Sequence, residues 1–192
     1  MGDILGLDPA RIARLRDPAR LKDLDPARVW EAVAPPADGE TIVDIGSGVG
    51  YLTLPFARKL PGCRVVGADV LEGMVALLAE DARNEGLSNL EALSMAPARV
   101  PLPDASAALV IMAQVHHELD QPAALLAECA RLLRPGGTLA IIDWKDEDNG
   151  KSPPKGRAVP EETVRAQMTA AGLRDVTAHP LYPYHYFLTA LR

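Results

Sequence analysis

Aromatic residues make up only 4% of this 192-residue chain, and cysteine occurs twice. Cys63 and Cys129 lie far apart, and neither belongs to a Cys-x-x-Cys or Cys/His spacing. That argues against a disulfide framework or a structural zinc site and predicts two reduced, partly buried thiols. Long apolar runs are missing as well. No stretch reaches the roughly 20 residues that a membrane span needs, and the N-terminal stretch is too charged for a signal peptide. The expectation is a cytoplasmic protein with no membrane segment. Blocks of positive charge are also absent: the formal net charge is −6, and the richest basic cluster, Arg11 to Lys22, is interrupted by Asp17. A partner held mainly by phosphate attraction, nucleic acid foremost, is disfavoured. What is present is a 48% hydrophobic content in a length suited to one domain with one substantial core.

The chain opens on a phrase used three times, Asp8-Pro9-Ala10-Arg11, Asp17-Pro18-Ala19-Arg20 and Asp25-Pro26-Ala27-Arg28. Aspartate accepts from free amides at a helix start, and proline at the first helical position loses no needed donor. Residues 1–38 therefore read as short helices, placed where they can close over a site as a lid. Alternation follows. Strands are expected at Thr41–Ile45, Arg64–Asp69, Leu90–Ser94, Ala107–Gln114 and Thr138–Trp144. Helices are expected at Gly50–Leu60, Glu72–Glu85 and Pro122–Leu133, the last stopped by Pro135-Gly136-Gly137. Near-continuous apolar strands separated by helices predict an α/β, doubly wound, mostly parallel sheet covered on both faces. Residues 146–159 read as a polar loop, and Pro160–Ala171 as a helix closed by Gly172. Two final strands, near Arg174–Pro180 and Tyr184–Leu191, are joined too tightly to be parallel and predict an antiparallel hairpin.

The chemistry concentrates in Val43-Asp44-Ile45-Gly46-Ser47-Gly48-Val49-Gly50, where a strand gives way to a helix. Glycine permits unusual dihedrals and lets a ligand approach the backbone, and the amides of a helix start favour an anionic group. Alone, such a turn is a weak signal, since structural turns produce it too. Two acids sharpen it. Asp44, just before the turn, would repel a pyrophosphate but suits an ammonium group, directly or through water. Asp69, 19 positions after Gly50, ends the second strand, where a carboxylate can accept both hydroxyls of a ribose. A cationic amino-acid nucleoside such as S-adenosylmethionine fits this pair better than NAD does.

The stretch resembles the first and second motifs of the class I S-adenosylmethionine-dependent methyltransferases. The resemblance extends over residues 40–145: Leu102-Pro103-Asp104 is similar to the run before the family's fourth strand, Val115-His116-His117-Glu118-Leu119-Asp120-Gln121-Pro122 to the segment after it, and Leu132-Leu133-Arg134-Pro135-Gly136-Gly137-Thr138-Leu139 to the turn before the fifth. It implies a Rossmann-like, seven-stranded methyltransferase fold and S-adenosylmethionine as cofactor. It also implies site residues. Gly46, Ser47, Gly48 and Gly50 would line the methionine portion, Asp44 would sit near its amino group, Asp69 would hold the ribose with Val70 beside the adenine, and Gln114 would lie near the sulfonium. Many relatives carry an acid where Ser94-Met95-Ala96 stands here. Met95 cannot accept from the adenine amino group, so the backbone of Met95 and Ala96 is expected to substitute, with the Met95 side chain on the ring.

Methyl transfer asks the protein to orient the acceptor, exclude water and keep the nucleophile deprotonated. His116 and His117 follow the fourth strand; either imidazole suits a general base, and His117 is the catalytic candidate, against a reading in which both simply pack. Half or more of the C-terminal Tyr182, Tyr184, His185, Tyr186 and Phe187 are expected in the core, the others walling an acceptor pocket. Asp143, Asp146, Asp148 and Asn149 form an acidic run that some O-methyltransferases use for magnesium; here it reads as a solvated loop, and no metal is expected. With only two cysteines, arsenic methylation is not expected either. The expected acceptor is a small molecule. The alternatives are an RNA or protein acceptor, a Rossmann-type oxidoreductase, and a non-catalytic protein that binds S-adenosylmethionine.

Overall fold

The structure, a computed structural model, describes residues 8–147, 150–151 and 156–192. Its elements run α1 (Pro9–Leu15), two single-turn 3-10 helices (Pro18–Lys22 and Pro26–Glu31), β1 (Thr41–Ile45), α2 (Thr53–Lys59), β2 (Arg64–Asp69), α3 (Glu72–Asn84), β3 (Leu90–Ser94), β4 (Ala107–Ala113), a 3-10 turn (His116–Glu118), α4 (Pro122–Leu132), β5 (Leu133–Trp144), α5 (Glu161–Ala170), β6 (Arg174–Ala178) and β7 (His185–Leu191). The repeated N-terminal phrase works locally as its chemistry dictates. Asp8, Asp17 and Asp25 each cap a short helix by accepting from the amide of Ala10, Ala19 and Ala27, at 2.9, 2.8 and 2.9 Å.

The seven strands form one sheet in the order β3-β2-β1-β4-β5-β7-β6. β1 pairs in parallel with β2 and β4, β2 with β3, and β4 with β5. β7 is antiparallel to both β5 and β6, so the hairpin expected at the C-terminus closes the sheet. Successive residues of a strand serve opposite faces. On β1 and β4, Val43, Val110 and Met112 pack under α4 and α5 with Leu126 and Met168. Their neighbours Ile42, Leu109 and Ile111 pack on the other face with Phe56, Leu24 and Val29. Both faces are therefore covered, which is why the strands lack polar alternation.

Several expected boundaries move. The Gly50–Leu60 helix begins only at Thr53. The fourth strand stops at Ala113, because Gln114 adopts φ +58° and turns the chain out of the sheet. The fifth strand starts at Leu133, reaching back through Pro135-Gly136-Gly137 to pair Leu133 with Ala107 across a register shift. The N-terminal segment is also more integral than a lid alone. Leu24 and Val29 are fully buried, Trp30 meets the Phe56 ring at 4.6 Å, and the Tyr51 and Tyr182 hydroxyls donate to the carbonyls of Leu24 and Asp25. Within the described residues, the stretch from Arg11 to Leu24 borders the cavity, with Ile12 and Leu15 of α1 on Val49, Met74 and Leu77.

Candidate active site

In an open α/β sheet the carboxyl ends of the strands diverge where the strand order reverses, leaving a crevice. Here the reversal falls between β1, which continues to β2, and β4. A cavity of about 1020 Å³ lies there, bordered by the turn after β1, the ends of β2, β4 and β5, and the N-terminal segment.

The glycine turn has a different reason at each position. Gly46, Gly48 and Gly50 all have positive φ, at +71°, +52° and +78°. A side chain on Gly46 would run into Val115. One on Gly50 would meet Leu78 Cδ1 at 2.6 Å and Leu54 Cγ at 3.0 Å. At Gly48 nothing lies closer than the Gly46 carbonyl at 4.0 Å, so this bare backbone faces open cavity. Gly50 thus packs against Leu78 and Leu54 and does not border the cavity. Ser47 lines the cavity, and its hydroxyl is buried without a partner among the described residues.

Asp69 borders the cavity with one oxygen accepting from the Gly48 amide at 2.8 Å and the other from the Leu71 amide at 2.9 Å. A carboxylate offers about four lone-pair sites, so two remain for hydroxyls of a ligand. Next to it Val70 and Leu71 are 52% and 40% exposed, an uncovered apolar edge of the cavity beside Met95. The arrangement fits a ribose on Asp69 with a flat apolar base against these side chains.

Asp44 and the Met95–Ala96 backbone have partners of their own. Asp44 does not line the cavity. Its carboxylate is 3% exposed and accepts the Thr53 hydroxyl at 2.6 Å, tying β1 to the start of α2 beneath the turn. Burial, with a smaller push from Asp69, raises its pKa to about 7 against the bonds from Thr53. Part of the backbone of Met95 and Ala96 is engaged within the protein. The Met95 amide donates to the Asp69 carbonyl, Ala96 exchanges both its bonds with Arg99, and Ala96 does not line the cavity. A steric and hydrogen-bond inventory of this kind has no local trace in sequence.

At the other end, Gln114 lines the cavity and links two groups that sequence reasoning did not single out as its partners. It accepts from the Arg20 guanidinium at 2.6 Å, which fixes its amide nitrogen as donor to His185 Nε2 at 2.8 Å. His185, 1% exposed and driven down to about 4 by burial, stays neutral and stacks on Trp144 at 4.1 Å. Of the C-terminal aromatic cluster only His185 reaches the cavity; Tyr182, Tyr186 and Phe187 are buried in the core. Arg20 lies 3.9 Å over the Tyr51 ring and also donates to the Leu15 carbonyl, with no carboxylate ion-paired to it among the described residues. Burial lowers its pKa, so the cation is held where a ligand's negative charge would be welcome. Arg20 was missed because its only sequence signal is its place in the repeated phrase, which helix capping already explains.

His117 borders the cavity, and Asp143 at the end of β5 accepts from its ring at 2.7 Å and from its amide at 3.0 Å. Burial opposes the imidazolium, but the bond to Asp143 and the charges of Asp143 and Glu118 outweigh it, and the pKa lies above the ordinary histidine value. His116 faces away, buried and with its pKa lowered by burial. Of the acidic run after β5, Asp143 is thus engaged with His117, Asp146 is exposed, and Asp148 and Asn149 lie outside the described residues. Cys63 and Cys129 are unbridged and buried.

This sheet order, with a glycine turn and a strand-end acid at its switch point, defines a class I methyltransferase architecture. The family described as "Methyltransferase domain" matches residues 43–141, and the chain belongs to it. A SAM-dependent methyltransferase from Aquifex aeolicus is 33% identical, with a TM-score of 0.89 over 96% of this chain and 98% of that one. An uncharacterized methyltransferase of Mycobacterium bovis is 34% identical over 59% of this chain and 43% of its own length. A trans-aconitate 2-methyltransferase of Azoarcus sp. is 32% identical over 85% of this chain and 61% of its own. The chain thus spans about half the length of the curated relatives it matches.

Proposed function

We propose that this protein is an S-adenosylmethionine-dependent methyltransferase acting on a small-molecule acceptor. The observation that carries the reading is the open backbone at Gly48, flanked by Asp69 with two acceptor sites to spare and by the bared Val70–Leu71 edge. The cofactor supplies an electrophilic methyl group on a sulfonium. The chain's own residues bind and orient. Asp69 holds the ribose, Val70, Leu71 and Met95 cover the base, and the Gly46–Gly48 turn gives the amino-acid end close backbone approach. Arg20 offers a cation to its carboxylate, and Gln114 stands beside the reacting end. Asp44 serves from behind, as the support of the turn.

A small acceptor is supported by the part of the cavity wall formed by Gln114, Trp144 and His117, by the acidic balance of the chain, and by a relative named for trans-aconitate. Binding calorimetry with S-adenosylhomocysteine and with NAD tests the cofactor, followed by transfer of a tritiated methyl group to a panel of small acids, phenols and amines. Binding of NAD in preference to S-adenosylhomocysteine would reject the reading.

A further inference from the structure

We infer that Asp143 and His117 form a proton-accepting pair at the acceptor end of the cavity, and that the methyl acceptor is a protic heteroatom, an O–H or N–H group. This inference rests on the methyltransferase reading above. The argument is geometric. Asp143 is 1% exposed and sits between three donors: its Oδ1 receives the His117 ring Nδ1 at 2.7 Å and the Trp144 amide at 2.8 Å, and its Oδ2 receives the His117 amide at 3.0 Å. A carboxylate accepts and has no proton to donate, so Nδ1 carries the hydrogen and the neutral ring keeps its lone pair on Nε2. The same carboxylate grips the ring and the backbone of one residue, which fixes the ring's direction as well as its tautomer.

Among the described residues Nε2 makes no hydrogen bond; its nearest charged neighbour there is Glu118 Oε1 at 3.8 Å. The groups that act on the ring are Asp143 from β5, Glu118 and His116 from its own turn, and Arg157 from the segment before α5. The two other histidines near this end are not equivalent. His116 is buried off the cavity beside Gln167, and the Nε2 of His185 is occupied by Gln114. Only His117 combines a fixed tautomer, an available second nitrogen and a place on the cavity wall.

The step balances. The acceptor oxygen or nitrogen forms its bond to the methyl carbon, the methyl carbon–sulfur bond breaks with its electron pair kept by sulfur, and the acceptor's proton passes to His117 Nε2. The resulting imidazolium is paired with Asp143 and later yields the proton to water. A carbon or metalloid acceptor gives such an oriented base much less to do. Asp143 is a positioning residue in this scheme and His117 the catalytic one.

The test begins without an acceptor. In ¹⁵N-labelled full-length protein saturated with S-adenosylhomocysteine, the His117 ring should titrate above the ordinary histidine midpoint and be Nδ1-protonated when neutral. Asp143→Asn should lower that midpoint by about one unit or more. Loss of the carboxylate charge lowers the midpoint whether or not the ring takes part in the reaction, so the shift reports the pair and the pH dependence of turnover reports the base. With tritiated S-adenosylmethionine, phenols and amines should be the compounds turned over. His117→Gln should then slow turnover roughly 10²–10⁴-fold, and Asp143→Asn should move the acid limb of the rate profile to lower pH. An unmoved midpoint in Asp143→Asn, or label found on carbon with turnover indifferent to His117→Gln, overturns the inference. Failure of the wild-type protein to bind S-adenosylhomocysteine would instead overturn the reading on which it rests.

Discussion

Replacing Gly48 and Gly50 by alanine, one at a time, should separate the ligand-facing and core-facing parts of the turn. Both residues have positive φ, so either alanine costs roughly 1–2 kcal/mol for the left-handed backbone. Gly48→Ala should cost little more, because the new methyl group enters open cavity. Gly50→Ala drives its methyl to 2.6 Å from Leu78 Cδ1 and 3.0 Å from Leu54 Cγ, and Leu78 is fully buried with nowhere to retreat. Overpacking of this kind typically adds 1–3 kcal/mol, giving a total of roughly 2–5 kcal/mol. Affinity for S-adenosylhomocysteine should follow the opposite order. In Gly48→Ala the methyl group occupies space the ligand needs, and the same overpacking scale corresponds to a roughly 5- to 150-fold rise in Kd. Whatever Gly50→Ala protein remains folded should bind within a few-fold of wild type. Urea denaturation reads the stabilities and isothermal calorimetry the affinities. Wild-type affinity in Gly48→Ala, or a Gly50→Ala protein no less stable than Gly48→Ala, would refute the division.

Three further outcomes are expected. Asp69→Ala should weaken S-adenosylhomocysteine by about 1–3 kcal/mol through lost ribose hydrogen bonds; calorimetry showing unchanged affinity would remove Asp69 from that role. Arg20→Gln should weaken S-adenosylhomocysteine by about 1.5–3 kcal/mol, the worth of a bond to a charged group, while leaving adenosine, which has no carboxylate, unaffected; equal losses for the two ligands would contradict the assignment. Burial raises the Asp44 pKa from its ordinary 3.8 to about 7, so the fold binds the extra proton and stability falls as pH rises from about 4 through about 7. Asp44→Asn removes that penalty, worth up to about 4 kcal/mol at pH 8, and denaturation midpoints should show the variant gaining on wild type as pH rises; a constant gap between pH 4 and 8 would sink this account.

Signals in the sequence that lie next to one another were legible. The Asp-Pro-Ala-Arg phrase is a helix start because its aspartate and its proline act within two residues, and the structure shows those caps. The doubly wound sheet followed from apolar strands of the right length between helices, and the antiparallel close from the shortness of the last connection. Asp69 and Gly48 belong to local features, a strand end and a glycine turn, and both border the cavity.

Contacts between segments distant in the chain were decided only by tertiary structure. Asp44 and Asp69 look alike in sequence, each a carboxylate ending a strand, yet Thr53 turns the first toward the core while the second stays at the cavity. Gly48 and Gly50 are two positions apart, but Leu54 and Leu78 close over only one of them. Arg20 meets Gln114 across 94 positions and His117 meets Asp143 across 26. The amino-acid order set which short elements form, because hydrogen bonds and apolar periodicity act over a few residues. Which side chains share a cavity was set by how the strands order themselves in the sheet, a global outcome of burying both its faces at once.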